Sequence, residues 1–395
     1  MHVKVLSQWL AGRGLISHAS RTAVLLRAVS AVIAGGRLSL THLGRSLPGN
    51  ARVKHQIKAV DRLLGNRHLS RERDGIYRAL AQTLLRGKTR PIIVIDWSDV
   101  QTGRKWVMLK AALPAEGRAI SLYERVFPIS RYNSPGANRE FLASLRAILP
   151  ESCCPIIVTD AAFRSPWFRA VEAYGWDWVG RVRSNAKYYR EQTGRWCATR
   201  SLYATATTRP RYVGHSPLGR HRGCHANLYL VREHKARLGR PRRRPGPVRA
   251  NEPSYRRSHR EPWLLATSLP HGHGSERLVT KLYAKRMQIE ETFRDLKCHR
   301  WGFGLCYSRC NDTRRLQAML LLGALATLVS WLVGLAARSL NLHRHLQANT
   351  ERRRPVLSIF FIGRELLRRP GDDLPPSAIH RALLTLRSQI EAYAA

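Results

Sequence analysis

The chain has 395 residues and carries 68 Lys plus Arg against 26 Asp plus Glu, a formal net charge of +42. A surplus of that size argues against any cationic partner and for a polyanion, nucleic acid first and an anionic membrane second. The length allows two or three domains with a sizeable core. Carboxylates are scarce, so an Asp beside an apolar strand needs a reason.

The seven Cys include no CxxC pair. Cys298, Cys306 and Cys310 cluster with His299, but their spacing fits no common zinc site, so free thiols in a reducing compartment are expected. The N-terminal Met1-His2-Val3-Lys4 lacks the apolar core of a signal peptide, which predicts a cytosolic protein.

From about Leu6 to Leu85 the pattern is helical, with breaks at Gly35-Gly36 and Pro48-Gly49. Arg21 to Ala34, Leu38 to Leu47 and Val53 to Leu64 read as helices joined by Gly-containing turns, with Arg and Lys between the apolar positions. That is the look of a helix-turn-helix-like DNA binder, and a plain helical bundle with a basic surface is the alternative. The period changes at Lys88-Thr-Arg-Pro91. Ile92 to Ile95 is a short β-branched run that reads as a buried strand ending on Asp96. Further strands are expected at Trp106 to Ala112 and Ile120 to Phe127, then a helix from about Asn138 to Leu149. Pro155-Ile-Ile-Val-Thr159 repeats the first pattern and ends on Asp160. Ser165-Pro166 starts a helix running to Tyr174, and Trp176 to Arg183 reads as strand.

Two apolar strands that each end on an Asp place two carboxylates at one sheet edge. Like charges that close are unfavourable unless a cation sits between them, and Mg²⁺ or Mn²⁺ is the matching ion. For either Asp alone a strand-end cap is the ordinary explanation. Residues 187–262 read as a β-rich insertion, with strands at Arg211 to Val213 and Ala226 to Arg232 and a basic loop from Lys235 that can neutralise phosphates without sequence choice. A strand at Trp263 to Thr267 follows.

The stretch Tyr283 to Lys297 has no Gly, no Pro and no β-branched run, which predicts one helix. At about 100° per residue, Tyr283, Arg286, Glu290 and Lys297 share a polar stripe, with Leu282, Ile289, Phe293 and Leu296 on a separate apolar one. Leu316 to Ala337 is almost wholly apolar and long enough to span a bilayer, but its polar interruptions and the lack of a second span favour a buried helix backing the sheet. The tail from Leu340 is basic and helical in part.

The spacing Tyr283-x2-Arg286-x3-Glu290-x6-Lys297 resembles the Tyr-Arg-Glu-Lys signature of the insertion sequence four family of bacterial DDE transposases. Val-Ile-Asp96-Trp-Ser-Asp, Val-Thr-Asp160-Ala-Ala-Phe-Arg, Gly175-Trp-Asp-Trp-Val-Gly-Arg-Val-Arg183 and Asp61-Arg-Leu-Leu-Gly-Asn66 agree in order, so the likeness covers about residues 20 to 340. It implies an α/β fold: an RNase H-like catalytic core (residues 89–186 and 263–340) interrupted by the β-rich insertion at 187–262. An all-α N-terminal DNA-binding domain (residues 1–88) and a helical tail (341–395) flank that core. It further implies two divalent ions on Asp96, Asp160 and Glu290, and contacts to transposon-end DNA from Tyr283, Arg286, Lys297 and Arg183, with Asn185 as a further contact. Trp263 stands where some relatives stack a flipped base, and a core aromatic is the equal alternative. The implied activity is cut-and-paste transposition of double-stranded DNA by a homodimer, in the bacterial cytoplasm at the nucleoid, with no membrane. A non-catalytic DNA-binding descendant and a structure-specific nuclease are the competing readings.

Overall fold

The structure is a computed structural model that describes residues 15–35, 37–103, 105–183, 186–219, 223–232, 261–348, 350–351, 354–369, 374–390 and 392–393. Asn185 and the basic loop after Lys235 lie outside the described residues. In chain order come helices α1 (Ala19–Gly35), α2 (Leu40–Arg45), α3 (Val53–Leu64) and α4 (Arg67–Leu84), strands β1 (Ile92–Asp99), β2 (Trp106–Pro114) and β3 (Ala119–Pro128), and helix α5 (Pro135–Ile148). Next are β4 (Ile156–Thr159), α6 (Ser165–Glu172), β5 (Asp177–Val182), β6 (Lys187–Arg190), β7 (Arg195–Ala198), β8 (Arg211–Leu218), β9 (Cys224–Val231) and β10 (Trp263–Thr267). Helices α7 (Ser275–Ala284), α8 (Met287–Lys297), α9 (Thr313–Ser339), α10 (Ile359–Arg368) and α11 (Pro376–Gln389) follow. The backbone falls into two compact units, Met1–Cys153 with Met287–Ala395, and Cys154–Arg286.

In the first unit the strands run β3-β2-β1, all antiparallel. β1 extends to Asp99, so the expectation that Asp96 ends its strand is corrected. The pairing with β2 continues from Asp96 opposite Lys110 to Asp99 opposite Val107, and this ladder holds the polar end of the strand extended. The turn between β2 and β3 closes with the Ala115 N–H on the Arg118 carbonyl at 2.9 Å, and Gly117 supplies the φ of +71° that the turn needs.

Helix α9 is apolar all round because it is covered all round: it packs against β3, α1, α4, α10 and α11. Its hydropathy and length would suit a membrane span, yet 89% of that window is buried inside the protein. The helix expected to back the sheet therefore does so. Its crossing with α10 brings backbones into contact. A Cβ at Gly363 would lie 1.7 Å from the Ser330 carbonyl oxygen, and one at Gly334 would lie 2.0 Å from that of Ile359. The three N-terminal helices α1, α2 and α3 pack on one another and belong to this same unit.

In the second unit the order is β4-β5-β10-β9-β8-β6-β7, with β4 and β5 parallel and the other pairs antiparallel. β6 and β7 are strands that the sequence pattern did not reveal. Helix α6 is held down by Phe168 stacked on Trp178, with ring centroids 3.9 Å apart. Gly180 makes room for that stack, since a Cβ there would sit 2.5 Å from the Phe168 ring.

The single helix expected from Tyr283 to Lys297 is two helices. The Lys285 N–H reaches back only to Leu282 (3.2 Å) and the Arg286 N–H only to Tyr283 (3.0 Å), the three-residue bonds that tighten a last turn. Local propensity holds no sign of this, because Ala, Lys and Arg are good helix formers. The packing decides it: Leu282 and Tyr283 are buried in the second unit, Ile289, Phe293 and Leu296 in the first.

Candidate active site

Each unit gathers part of the predicted residue set. In the first, Asp96 is almost wholly buried in β1 (9% exposed), and its Oδ1 accepts the Trp97 N–H at 2.8 Å. Directly opposite stands Lys110 of β2, and opposite that Glu124 of β3. Residues paired in this way leave an antiparallel sheet on the same face, with Cβ atoms about 5 Å apart. Lys110 and Glu124 are each 1% exposed and form an ion pair at 2.9 Å, while the Tyr77 hydroxyl donates to the other Glu124 oxygen at 3.1 Å.

Helix α8 crosses β1, β2 and β3. Its register is set by a row of polar side chains on the β2–β3 turn. Gln288 Oε1 accepts the Ala115 N–H at 3.0 Å, Thr292 Oγ1 accepts the Ala119 N–H at 3.0 Å and donates to the Ala119 carbonyl at 2.8 Å, and Asp295 takes the Arg118 guanidinium at 2.6 Å. Glu290 lies exposed in the first turn and Lys297 in the last, where the helix dipole favours each charge. Seven residues apart, they share a helix face. Lys297 Nζ donates to Ser98 Oγ of β1 at 2.7 Å. Burial pulls the Lys297 ammonium below its ordinary range, and Asp99, Cys306 and Asp96 oppose that pull. The ammonium groups of Lys110 and Lys297 each stand 5.7 Å from the centre of the Phe293 ring, a cation–π arrangement on the side of β1 that carries Asp96.

Two further acids of α8, Glu291 and Asp295, pair with arginines. Asp295 is structural: burial raises its carboxyl above the ordinary range, with Arg118 opposing. Glu291 pairs with Arg118 at 3.6 Å and with Arg294.

In the second unit Asp160 follows β4 directly, as expected, and its Oδ1 accepts the Ala162 N–H at 2.8 Å in a turn. Tyr283 is not presented to solvent as its predicted polar stripe required; it is 4% exposed. Its ring meets the Trp263 ring edge-on at 4.9 Å. Trp263 itself is half-buried. Burial pushes the Tyr283 phenol up, Arg286 opposes this most strongly, Arg181 and Arg183 also oppose it, and Asp160 adds to it. The charges of Asp160, Arg183 and Arg286 thus act on the buried phenol that Trp263 touches. Arg183 is exposed, whereas Arg181 is 8% exposed and donates to the Glu261 carbonyl at 3.1 Å. Arg181 was missed in the sequence, although its spacing of two from Arg183 on a strand marks a shared face. Lys110 and Ser98 were missed as well, and only the pairing register reveals them.

The three carboxylates Asp96, Asp160 and Glu290 are hard oxygen donors, which suits Mg²⁺ or Mn²⁺ and not a soft metal. Among the described residues no three His, Cys, Asp or Glu side chains cluster as a ready-made metal cage. Magnesium commonly binds through one or two carboxylates completed by waters and substrate phosphate, so the donor chemistry fits.

Residues 87–327 match the family described as the transposase DDE domain, a span that begins just before β1 and ends within α9. The chain belongs to the transposase DDE domain family, and its class is that of DNA transposases. No curated protein matches it. Among solved structures it is similar to a piggyBac transposase synaptic complex with hairpin DNA determined by cryo-EM, at 12% identity and a TM-score of 0.46, over 95% of this chain and 73% of that one. The assignment rests on the family match.

Proposed function

We propose that the chain is a metal-dependent cut-and-paste transposase. In this reading it binds the terminal inverted repeats of a mobile DNA element as a homodimer, cleaves the phosphodiester backbone at the ends and joins the 3′ ends to target DNA. The supporting observation is the seating of α8 on β1, which sets Lys297 on Ser98, beside Asp96 and Asp99, from the same helix face that carries Glu290.

Asp96, Asp160 and Glu290 are the residues that would hold two divalent ions on an RNase H-like core. Such ions, when bound, lower the pKa of an attacking water and offset charge on the leaving 3′ oxygen. The protein side divides the remaining work. Lys297 offers a desolvated ammonium to a non-bridging phosphate oxygen. Arg183 and Arg286 take neighbouring phosphates. Tyr283 acts through its ring, fixing the edge of Trp263 so that the indole offers a set surface to a displaced base. The basic helices α1, α2 and α3 supply further duplex contacts, and the surplus of +42 speeds encounter with DNA.

The test is cleavage of end-labelled DNA bearing the inverted repeats that flank the gene, with Mg²⁺ or Mn²⁺. Asp96→Ala, Asp160→Ala and Glu290→Ala should each bind the DNA and leave it uncut. Full activity in any of them sinks the proposed site. Binding that persists in chelator, with no cleavage under any metal, makes the chain a non-catalytic DNA-binding protein.

A further inference from the structure

A cleft of about 910 Å³ lies within the first unit, and its lining includes none of the proposed metal ligands. One wall is the segment from Arg37 to His42 with Leu64 of α3, and the other is the loop from Tyr307 to Asp312 with Arg315 and Met319 of α9. The walls are tied together. The Leu38 N–H donates to the Phe303 carbonyl at 2.7 Å, and Arg315 donates to Asp61 at 2.5 Å. Beneath the second wall the buried Gln101 donates through Nε2 to the carbonyls of Ser308 (2.7 Å) and Cys310 (2.8 Å). The cleft is therefore a fixed part of the fold.

Its lining combines two chemistries. Leu40, Leu64 and Met319 give it an apolar floor, and Tyr307 stands on the rim with 56% of its surface exposed and its ring edge-on to His299 at 5.5 Å. Around the rim are Arg37, Arg309, Arg315 and His42. Arg37 donates to His42 Nε2 at 3.0 Å, which holds the guanidinium at the rim. Asp312 is the lining carboxylate among the described residues, and it is committed to capping α9 through the Arg315 N–H at 2.9 Å. A flat apolar seat with an aromatic lip and a cationic rim matches a nucleobase with its phosphates. A fully paired duplex keeps its bases stacked and would leave the apolar floor unused; an unpaired base reaches it.

We propose that this cleft takes an extrahelical nucleotide of the bound DNA, its base against Tyr307 and the apolar floor and its phosphates against Arg37 and Arg309. The proposal rests on the reading of the chain as a DNA-binding transposase. It is tested with the full chain in chelator, so no cleavage is involved. Anisotropy compares two short duplexes of one sequence, one fully paired and one with a single extrahelical 2-aminopurine, in a Trp263→Ala parent so that the indole proposed above to take a displaced base cannot contribute. The extrahelical duplex should bind about tenfold more tightly with its fluorophore quenched, and Tyr307→Ala should remove that preference while leaving affinity for the paired duplex within about twofold. Tyr307 is exposed, so the variant should melt as the parent does. Equal affinities in the parent, or a preference that survives Tyr307→Ala, overturns the proposal. Displacement of the extrahelical base by free 2-aminopurine nucleotide at equal concentration reassigns the cleft to free nucleotides and also overturns it. Failure of the parent to bind either duplex defeats the transposase reading itself.

Discussion

Asp96 and Lys110 stand opposite each other across the β1–β2 ladder, and Lys110 is bound at 2.9 Å to Glu124, the residue opposite it on β3. Asp96 is the most exposed member of that row, at 9% against 1% for Lys110 and for Glu124. The buried ion pair thus lies on the strand next to the one that carries Asp96.

Breaking this row from one side should be costly. Lys110→Met leaves Glu124 buried with only hydroxyl donors, Tyr77 at 3.1 Å and Ser121 at 3.5 Å, and the loss should be about 3–5 kcal/mol in urea unfolding. Replacing both partners, Lys110→Met with Glu124→Leu, should recover most of that loss, since an apolar pair can stand in for a buried ion pair. Cleavage should not recover with it. Recovery of both would show that Lys110 serves the fold alone.

Thr292 is the pin that fixes the register of α8. Its hydroxyl both accepts from and donates to Ala119 in a buried setting. Thr292→Val keeps the shape and strands two backbone groups, which should cost about 2 kcal/mol. A shift of α8 would carry Glu290 and Lys297 together, so kcat should fall more than the stability loss alone explains. A fully stable variant with unchanged kcat would dismiss this role.

Tyr283 separates two functions of one side chain. Tyr283→Phe keeps the ring against Trp263 and should change stability by less than about 1 kcal/mol. Tyr283→Ala opens a hole beneath the indole and should cost about 3–5 kcal/mol. If the phenol itself grips DNA, the Phe variant will lose affinity as the Ala variant does.

His42 gives a pH signature. Burial lowers its pKa below the ordinary 6.5, helped by Arg37 and Arg45. The other charged groups lining its cleft are Arg309, Arg315 and Asp312. Because the folded pKa lies below the unfolded one, its contribution is intact above 6.5 and is lost as pH falls through the folded value. The melting temperature of the parent should therefore fall more steeply on acidification below 6.5 than that of His42→Gln. Parallel curves would remove His42 as the cause.

Much of the fold could be read from the sequence. Helix α3 and strand β10 fall where their patterns place them, and Asp160 follows its strand directly. These segments carry their own signals: periodicity, β-branched runs and a turn-forming Asp. The site was less legible where pairing or packing overrides the local pattern. Lys110 interrupts an apolar run and reads as a flaw until Glu124 is seen beside it. The break after Lys285 falls among good helix formers. Tyr283 looks like part of a polar stripe only if the helix continues. Residues defined by a neighbour distant in the chain leave no trace at their own position.

Helix α9 has a consequence for biosynthesis. With a mean hydropathy of 2.2 over its apolar window, it is, among the described residues, the helix long and apolar enough for the membrane-insertion machinery to accept. It leaves the ribosome only after α1, α4 and β3 have been made, and these are surfaces that cover it. Synthesis order thus shelters this apolar stretch: it emerges onto a scaffold already waiting, and α10 and α11 are laid on it afterwards. A circular permutant that begins at α9 should lose that shelter, and should aggregate or associate with membranes during translation even though its folded form has the same core.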